Sequence, residues 1–334
     1  MQAQRGKREQ LKSDEDVTTP KLAVVIPCYR VRNYVLDVIQ RVEPDIWRIY
    51  VVDDKCPEQT GAFVKETCVD DRVVVIFNEV NQGVGGAVIA GYQAAVDDGA
   101  DVVIKIDGDG QMDPAFVPVL IRPILEGRAD YTKGNRFFRL DSLKAMPFVR
   151  VFGNAVLSFM AKLSSGYWPV FDPTNGYTAI HAKVLAELPL DKIARRYFFE
   201  TDMLFRLNTL SCVVVDVPMK AIYGEAPSNL VVRQVIPEFL MRHTVNFVKR
   251  LFYNYFLRNF SIFSVELLLG SAMVLWGMCF GGYMWYWYAA HKMFAPSGVI
   301  MFAVLPLILG VQLVLSFFNW DARNVPTAPL HLRL

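Results

Sequence analysis

The chain has 334 residues and a formal net charge of +2, enough length for one large domain with an appendage. So small a charge, with no basic stripe interleaved with aromatics in the soluble part, argues against nucleic acid as a partner. Five scattered cysteines (Cys28, Cys56, Cys68, Cys212, Cys279) without CxxC spacing indicate neither a zinc site nor a disulfide framework and fit reduced cytosolic thiols.

Met1 to Pro20 is polar and charged with no apolar core, so it reads as a disordered lead and not a signal peptide. Leu22 to Pro27 is a continuous apolar run stopped by proline, a buried strand of the parallel type. Residues 33–43 place Tyr34, Val35, Val38, Ile39 and Val42 at helical spacing. Ile49 to Val52 is a second strand, closed by Asp53 and Asp54, and Val73 to Phe77 is a third. A glycine turn at Gly83, Gly85 and Gly86 then opens a helix to about Val96, and Val102 to Ile106 is the fourth strand. Cys28 and Cys212 sit in apolar runs as packing residues. Strands alternating with helices predict an α/β fold with a mostly parallel, doubly wound sheet and right-handed crossovers.

The most informative stretch follows the fourth strand: Asp107-Gly108-Asp109-Gly110-Gln111-Met112-Asp113-Pro114. A β-branched run ending in carboxylates delivers them to the carboxyl edge of the sheet, where ligands sit in open α/β folds. Asp107, Asp109 and the Gln111 amide make a hard oxygen site suited to Mg²⁺ or Mn²⁺ carrying a diphosphate. A solvated Asp/Gly turn explains the same residues without a ligand. The turn at 83–86 fails the GxGxxG fingerprint, because Val stands at position 88. Its backbone N–H groups can approach a phosphate, or its glycines can serve close helix–strand packing.

The ordered motifs Val-Ile-Pro-Cys-Tyr (25–29), Val-Asp-Asp (52–54), Asn-x-Gly-x-Gly (81–85) and Asp-Gly-Asp-Gly-Gln (107–111) resemble the GT-A nucleotide-sugar fold of family 2 glycosyltransferases. Within that family the chain looks most similar to the polyprenyl-phosphate glycosyltransferases, of which dolichol-phosphate mannose synthase and bacterial undecaprenyl-phosphate enzymes are types. The resemblance covers about residues 21–230. It implies that Pro27 and Tyr29 line the base pocket and that Asp53, with Asp54 adjacent, lies near base or ribose. Gly83 and Gly85 fall on the nucleotide-sugar side. Asp107, Asp109 and Gln111 match the metal motif. Arg136 in Gly134-Asn135-Arg136, and Arg150, match arginines expected to hold lipid phosphate and diphosphate, a role suited to the forked guanidinium. A surface ion pair is the plain alternative for both. Asp172-Pro173-Thr174-Asn175-Gly176-Tyr177 matches a family segment with Asn at a Ser position and Tyr at a Phe position, which puts Asp172 and Asn175 on the acceptor side. Glu200 and Asp202 sit where related enzymes place acids near the acceptor, and also read as an acid pair at a helix N-terminus. The family's Arg-x-x-Gly-x-Ser-Lys stretch is not kept: Ala221 to Asn229 retains the Gly and Ser but not the basic residues.

The chemistry implied is metal-dependent, inverting transfer from a UDP- or GDP-linked sugar to undecaprenyl or dolichyl monophosphate. The product is a lipid-linked sugar donor for envelope glycan or glycoprotein modification. The metal and arginines neutralise charge on the departing diphosphate. A phosphate acceptor needs no strong base, whereas a sugar hydroxyl acceptor needs a carboxylate such as Glu200 or Asp202.

Residues 238–258 form a basic amphipathic pattern that suits a helix in the headgroup plane or one packed on its own domain. Ser261 to Ala290 and Gly298 to Trp320 each exceed the ~20 residues that span a bilayer. Lys249, Arg250, Arg258, Arg323 and Arg333 outnumber Lys292 in the linker, which predicts an inner- or plasma-membrane hairpin with the enzyme domain in the cytoplasm. Glu266, an intramembrane acid near a helix end, marks a functional contact or, as the preferred reading, reaches to the interface. The apolar helices suit association within the hairpin or between protomers of a homo-oligomer. The expected domains are a lead (1–20), a GT-A domain (21–230), interfacial helices (231–260), two spans (261–320) and a cytoplasmic tail (321–334). A hydroxyl-acceptor transferase in polysaccharide assembly and a non-catalytic membrane scaffold are the alternatives. The absence of a Gln-x-x-Arg-Trp motif weighs against the first, and the retained acids against the second.

Overall fold

The computed structural model describes residues 19–138, 148–220 and 232–334, so most of the expected lead and the segment 221–229 lie outside the described residues. The first half alternates strictly: β1 (Leu22–Cys28), α1 (Val35–Gln40), β2 (Arg48–Asp53), α2 (Thr60–Thr67), β3 (Val73–Phe77), α3 (Val84–Asp97) and β4 (Val102–Lys105). The second half holds α4 (Val117–Leu125), β5 (Tyr131–Asn135), α5 (Phe148–Ser165), β6 (Thr178–His181), α6 (Ala182–Glu187), α7 (Phe199–Thr209) and β7 (Val214–Pro218). Successive side chains of β1 explain the layering. Leu22, Val24 and Ile26 pack with Val38 of α1 and Leu120 of α4, while Ala23 and Val25 pack with Val88 of α3 and Leu204 of α7. Both faces are covered, which is why the strands read as unbroken apolar runs.

The seven strands lie in the order β3-β2-β1-β4-β6-β5-β7. Six are parallel as expected; β6 alone runs against its neighbours β4 and β5. The reason is connectivity. The chain re-enters the sheet at its carboxyl end, where Thr178 opens β6 opposite Lys133 near the end of β5, so the strand must run back.

Three further helices follow: α8 (Val232–Phe252), α9 (Ile262–Ala290) and α10 (Ser297–Arg323), with a π-helical turn over Tyr253–Arg258 joining the first two. Helix α8 docks by its polar face: His243 hydrogen-bonds Ser164 at 2.8 Å, and Asn246 donates to Asp202 at 2.9 Å. Its apolar side is left outward, with Ile236, Leu240, Met241, Val248 and Phe252 each more than half exposed. The helix thus packs on its own domain and leaves an apolar face outward.

Helices α9 and α10 are long and apolar enough to cross a membrane, and only 17% and 11% of their apolar windows are buried, unlike core helices of a soluble protein. They approach closely at glycines: a methyl added at Gly310 would stand 2.7 Å from the Gly270 carbonyl oxygen. One carboxylate oxygen of Glu266 is buried without a hydrogen-bond partner, which differs from the expected reach toward the interface. The tail also differs from a free extension. The backbone N–H groups of Leu330 and His331 donate to buried Asp130 at 2.8 and 2.9 Å, and the His331 ring stacks on His181 at 4.3 Å. At the hairpin base, Arg250 of α8 forks onto Asp321 of α10 at 2.6 and 2.9 Å. Both outer ends of the hairpin thus meet the sheet domain.

Candidate active site

Where the strand order turns around, between β1 and β4, a cleft of about 430 Å³ opens at the carboxyl ends. Pro27, Tyr29, Asp54, Gly83, Asp107 and Asp109 line it, with Arg196 from the loop before α7. Asp53 does not line it. Its carboxylate turns back to accept from the N–H groups of Cys56 (2.7 Å) and Gly61 (2.6 Å), and so shapes the loop into α2. Asp54 is the acid that faces the cleft, and it also holds the glycine turn, accepting from Gln82 N–H at 2.9 Å and Gly83 N–H at 2.7 Å. Gly83 has φ +84°, and a side chain there would meet the Arg195 carbonyl at 2.7 Å. Gly85 serves packing against the Ala194 carbonyl and Phe199. The close-packing explanation thus describes Gly85, while Gly83 both packs and borders the cleft.

On the cleft floor, Asp107 is gripped from beneath. Buried Lys105, two residues earlier on β4, donates from Nζ to Asp107 Oδ1 at 2.7 Å, to the Gly176 carbonyl at 3.2 Å and to Glu200 Oε1 at 3.4 Å. Any side chain at Gly176 would strike Lys105 and stand 2.8 Å from Asp107 Oδ2. The two flanking carboxylates hold the Lys105 pKa above its ordinary value despite burial. Asp109 follows on a turn completed by Gly110 at φ +76°, and accepts from the Gln111 N–H at 3.0 Å. Burial first, then neighbouring Asp107, raises the Asp109 pKa. Gln111 thus orients Asp109 through its backbone, and its side chain does not line the cleft.

Among the described residues no three His, Cys, Asp or Glu side chains gather into a protein-only metal cage. Two carboxylates one residue apart nonetheless fit a hard divalent cation that completes its shell with diphosphate oxygens and water. A partly buried, mutually repelling acid pair is the electrostatic setting such a cation relieves.

Beside the floor, Arg136 forks onto fully buried Asp172, with Nε to Oδ2 at 2.8 Å and Nη2 to Oδ1 at 3.1 Å. Asn175 donates to the Gly134 carbonyl at 2.7 Å and accepts from Tyr177 N–H at 3.0 Å, locking the segment that carries Asp172 at one end and Gly176 at the other. One short loop therefore couples the arginine to the Lys105–Asp107 floor. Lysine cannot reproduce a two-pronged contact. Arg136→Lys should cost about 1–3 kcal/mol of stability through the imperfectly paired Asp172, read as a lowered thermal midpoint. Arg150 falls in the first turn of α5, where the backbone alone is described.

The two acids of α7 part company. Glu200 joins the floor through Lys105. Asp202 faces away, accepting from Ala194 N–H (2.9 Å), Arg206 (3.1 Å) and Asn246 (2.9 Å), and acts as a bracket between α7, α8 and the loop before α7. Lys105 and Arg196 were not singled out from the sequence. A lone lysine in the apolar run Val102 to Ile106 was the available signal for the first; exposed Arg196 had none.

Lys133 on β5 is also fully buried, donating to the Asn175 carbonyl, and burial lowers its pKa from 10.5 to about 8. The folded value lies below the unfolded one, so the buried ammonium burdens the fold fully below pH 8 and less as pH rises toward 10.5. Lys133→Met removes that dependence. Its thermal midpoint relative to the native protein should therefore fall by several degrees between about pH 7.5 and about pH 10. An unchanged difference across that range would show that Lys133 does not titrate there.

A mostly parallel sheet with paired acids at its turning point is an open α/β domain with a ligand cleft at the carboxyl edge. Residues 23–188 match the family model described as Glycosyl transferase family 2. The chain is 30% identical over 216 residues to the UDP-N-acetylglucosamine–dolichyl-phosphate N-acetylglucosaminyltransferase of Methanococcus voltae, covering 60% of this chain and 86% of that one. It is 29% identical over 223 residues to the polyprenol monophosphomannose synthase of Mycolicibacterium smegmatis, covering 64% and 83%. Among solved structures, glucosyl-3-phosphoglycerate synthase from Mycobacterium tuberculosis, in complex with Mn²⁺, UDP and glucosyl-3-phosphoglycerate, aligns with a TM-score of 0.52. That alignment covers 70% of this chain and 80% of that chain at 19% identity, a likeness of fold. The protein belongs to glycosyl transferase family 2 and is a glycosyltransferase.

Proposed function

We propose that the protein transfers a sugar from a UDP- or GDP-linked donor to a polyprenyl monophosphate at a membrane surface. One observation carries this reading. The loop Ile193 to Phe198 walls the acid-floored cleft with Arg196 and Tyr197, and it also lies against α8, whose outer face is apolar. Sugar-nucleotide chemistry and a membrane-facing surface thus meet at one loop. The relatives that act on dolichyl phosphate or make polyprenol monophosphomannose point to the same acceptor class.

In this mechanism Pro27, Tyr29 and Asp54 border the nucleoside, and Asp107 and Asp109 hold Mg²⁺ or Mn²⁺. When bound, that metal supplies charge neutralisation to the departing diphosphate. Arg196, which also lines the cleft, adds a fixed positive charge on the opposite wall. Arg136, fixed by Asp172, with Arg150 on the first turn of α5, receives the acceptor phosphate. An acceptor phosphate oxygen forms the bond to the anomeric carbon as the bond to the diphosphate oxygen breaks. The nucleoside diphosphate leaves with that electron pair, and the anomeric centre inverts. The acceptor is already ionised, so no proton needs removing. The bend of both hairpin ends toward the sheet domain, with Lys249, Arg258, Arg323 and Arg333 at that side, supports a cytoplasmic site.

A hydroxyl acceptor is the second reading, favoured only by Glu200, whose carboxylate stands 3.4 Å from the Lys105 that holds Asp107. The test is a transfer assay. Purified protein with Mg²⁺ or Mn²⁺ is offered radiolabelled UDP- and GDP-sugars together with undecaprenyl or dolichyl phosphate. Label in the lipid phase, lost with EDTA, is the expected result. Nucleotide release without lipid labelling would favour the hydroxyl reading, and no turnover with any donor would favour a scaffold.

A further inference from the structure

A second cavity, of about 700 Å³, lies beyond the wall of the donor cleft, between the loop Ile193 to Phe198 and helix α8. Six cations line it: Lys192, Arg195, Arg196, Arg206, Arg242 and Lys249. Its two acids are already engaged, Asp202 with Arg206 at 3.1 Å and Glu238 with Arg242 at 2.8 Å. The side chains of Lys192, Arg196 and Lys249 make no ion pair among the described residues. The cavity therefore carries an excess of positive charge that the described residues do not neutralise.

From this cavity we infer a seat for the headgroup of an anionic phospholipid, resting on the membrane placement proposed above. Position argues for a lipid. The cavity's far wall is α8, which exposes an apolar face and runs through one π-helical turn into the hairpin. A basic hollow at that level lies in the headgroup layer, where anionic lipids concentrate. Shape argues for more than a phosphate ion: Phe239, Met241 and Val245 also line the hollow and suit a glycerol and the first methylenes of acyl chains. The reacting acceptor is the less fitting occupant. Asp107, Asp109 and Asp172 do not line this cavity, and only Arg196 and Tyr197 are common to it and the donor cleft. Those two shared residues give the seat a consequence. A headgroup held by Lys192 and Lys249 steadies the loop that closes the donor cleft.

The experiment uses the full chain in phosphatidylcholine nanodiscs with and without phosphatidylglycerol, and compares it with the double variant Lys192→Ala/Lys249→Ala. Native mass spectrometry counts retained lipid, thermal unfolding reports stability, and turnover is measured in parallel. The native protein should retain phosphatidylglycerol over phosphatidylcholine and gain stability and rate from it. The variant should lose about tenfold to thirtyfold of that preference, the weight of two lysines at an anionic surface. It should keep its fold and its rate in phosphatidylcholine. Equal retention of both lipids by the native protein, or an unchanged preference in the variant, overturns the proposal. Displacement of phosphatidylglycerol by inorganic phosphate would mark a soluble-anion site, and stoichiometric displacement by polyprenyl monophosphate an acceptor site; either overturns it. A protein that does not enter nanodiscs at all would overturn the membrane reading itself.

Discussion

Asp109→Asn should lower sugar transfer by about a thousandfold, within the range expected when charge stabilisation of a departing group is removed. The substitution keeps the shape of the side chain and an oxygen able to accept from the Gln111 N–H, now at 3.0 Å. What it removes is the negative charge. In the folded protein that charge is unwelcome, since burial and Asp107 raise the Asp109 pKa. A carboxylate with a raised folded pKa gives the fold stability below its unfolded value and loses it as pH rises through the folded one. At neutral pH the Asn variant should therefore be as stable as the native protein or slightly more so. Activity and stability moving in opposite directions is the signature of a site kept for chemistry. The measurements are turnover at saturating donor, Mn²⁺ binding by titration calorimetry, and thermal midpoint in detergent. Near-native, EDTA-sensitive turnover would sink the assignment of Asp109 to the metal.

What the sequence reveals of this molecule, and what it hides, follows from the range of the interactions concerned. Val24, Val51 and Ile104 show the sheet plainly, because a strand buried on both faces must be apolar at consecutive positions. The reversal at β6 is hidden, because Thr178 to His181 has the same local character whichever way it runs. Its direction is set by the end of the sheet at which the chain re-enters, opposite Lys133 near the end of β5. The floor acids are legible as carboxylates after a strand. Which acid of Asp53 and Asp54 faces the cleft is not, since the decision rests on the Cys56 and Gly61 N–H groups captured by the first. Glu200 and Asp202 look equivalent in sequence, yet they are two positions apart on a helix and so point to different sides. Lys105 leaves a trace that can be read in retrospect: a charge within a buried strand requires partners, and two carboxylates within reach supply them. The docking of His331 on Asp130 leaves none, because the two residues are 201 positions apart and neither stands in a patterned segment.

Arg250→Met should be the most damaging single change outside the cleft, at about 3–5 kcal/mol, because it strands a buried carboxylate. The Arg250 side chain is 2% exposed and that of Asp321 1%. The guanidinium forks onto both Asp321 oxygens and also donates to the Leu163 carbonyl at 2.9 Å, while Tyr255 donates to Asp321 at 2.6 Å and Trp168 at 3.3 Å. Removal of the arginine leaves the aspartate with two neutral donors and no counter-charge in a space closed to water. A loss of that size is a large share of the ~5–15 kcal/mol by which a domain is usually stable. The double variant Arg250→Met/Asp321→Leu separates two explanations. If the cost is the stranded charge, an apolar pair of similar volume should recover most of the stability, with a coupling energy of about 2 kcal/mol or more between the sites. Thermal unfolding of both variants in one detergent gives the comparison. Arg250→Met within about 1 kcal/mol of the native protein would show that Tyr255 and Trp168 suffice for Asp321. The recovered double variant is then the informative enzyme. It retains a packed hairpin base but lacks the directional fork that joins α8, α10 and the end of α5. On the lipid-phosphate reading, its KM for the lipid acceptor should rise while its affinity for the nucleotide stays unchanged. The fork would then set the height of the cleft above the bilayer and leave the chemistry on its floor untouched.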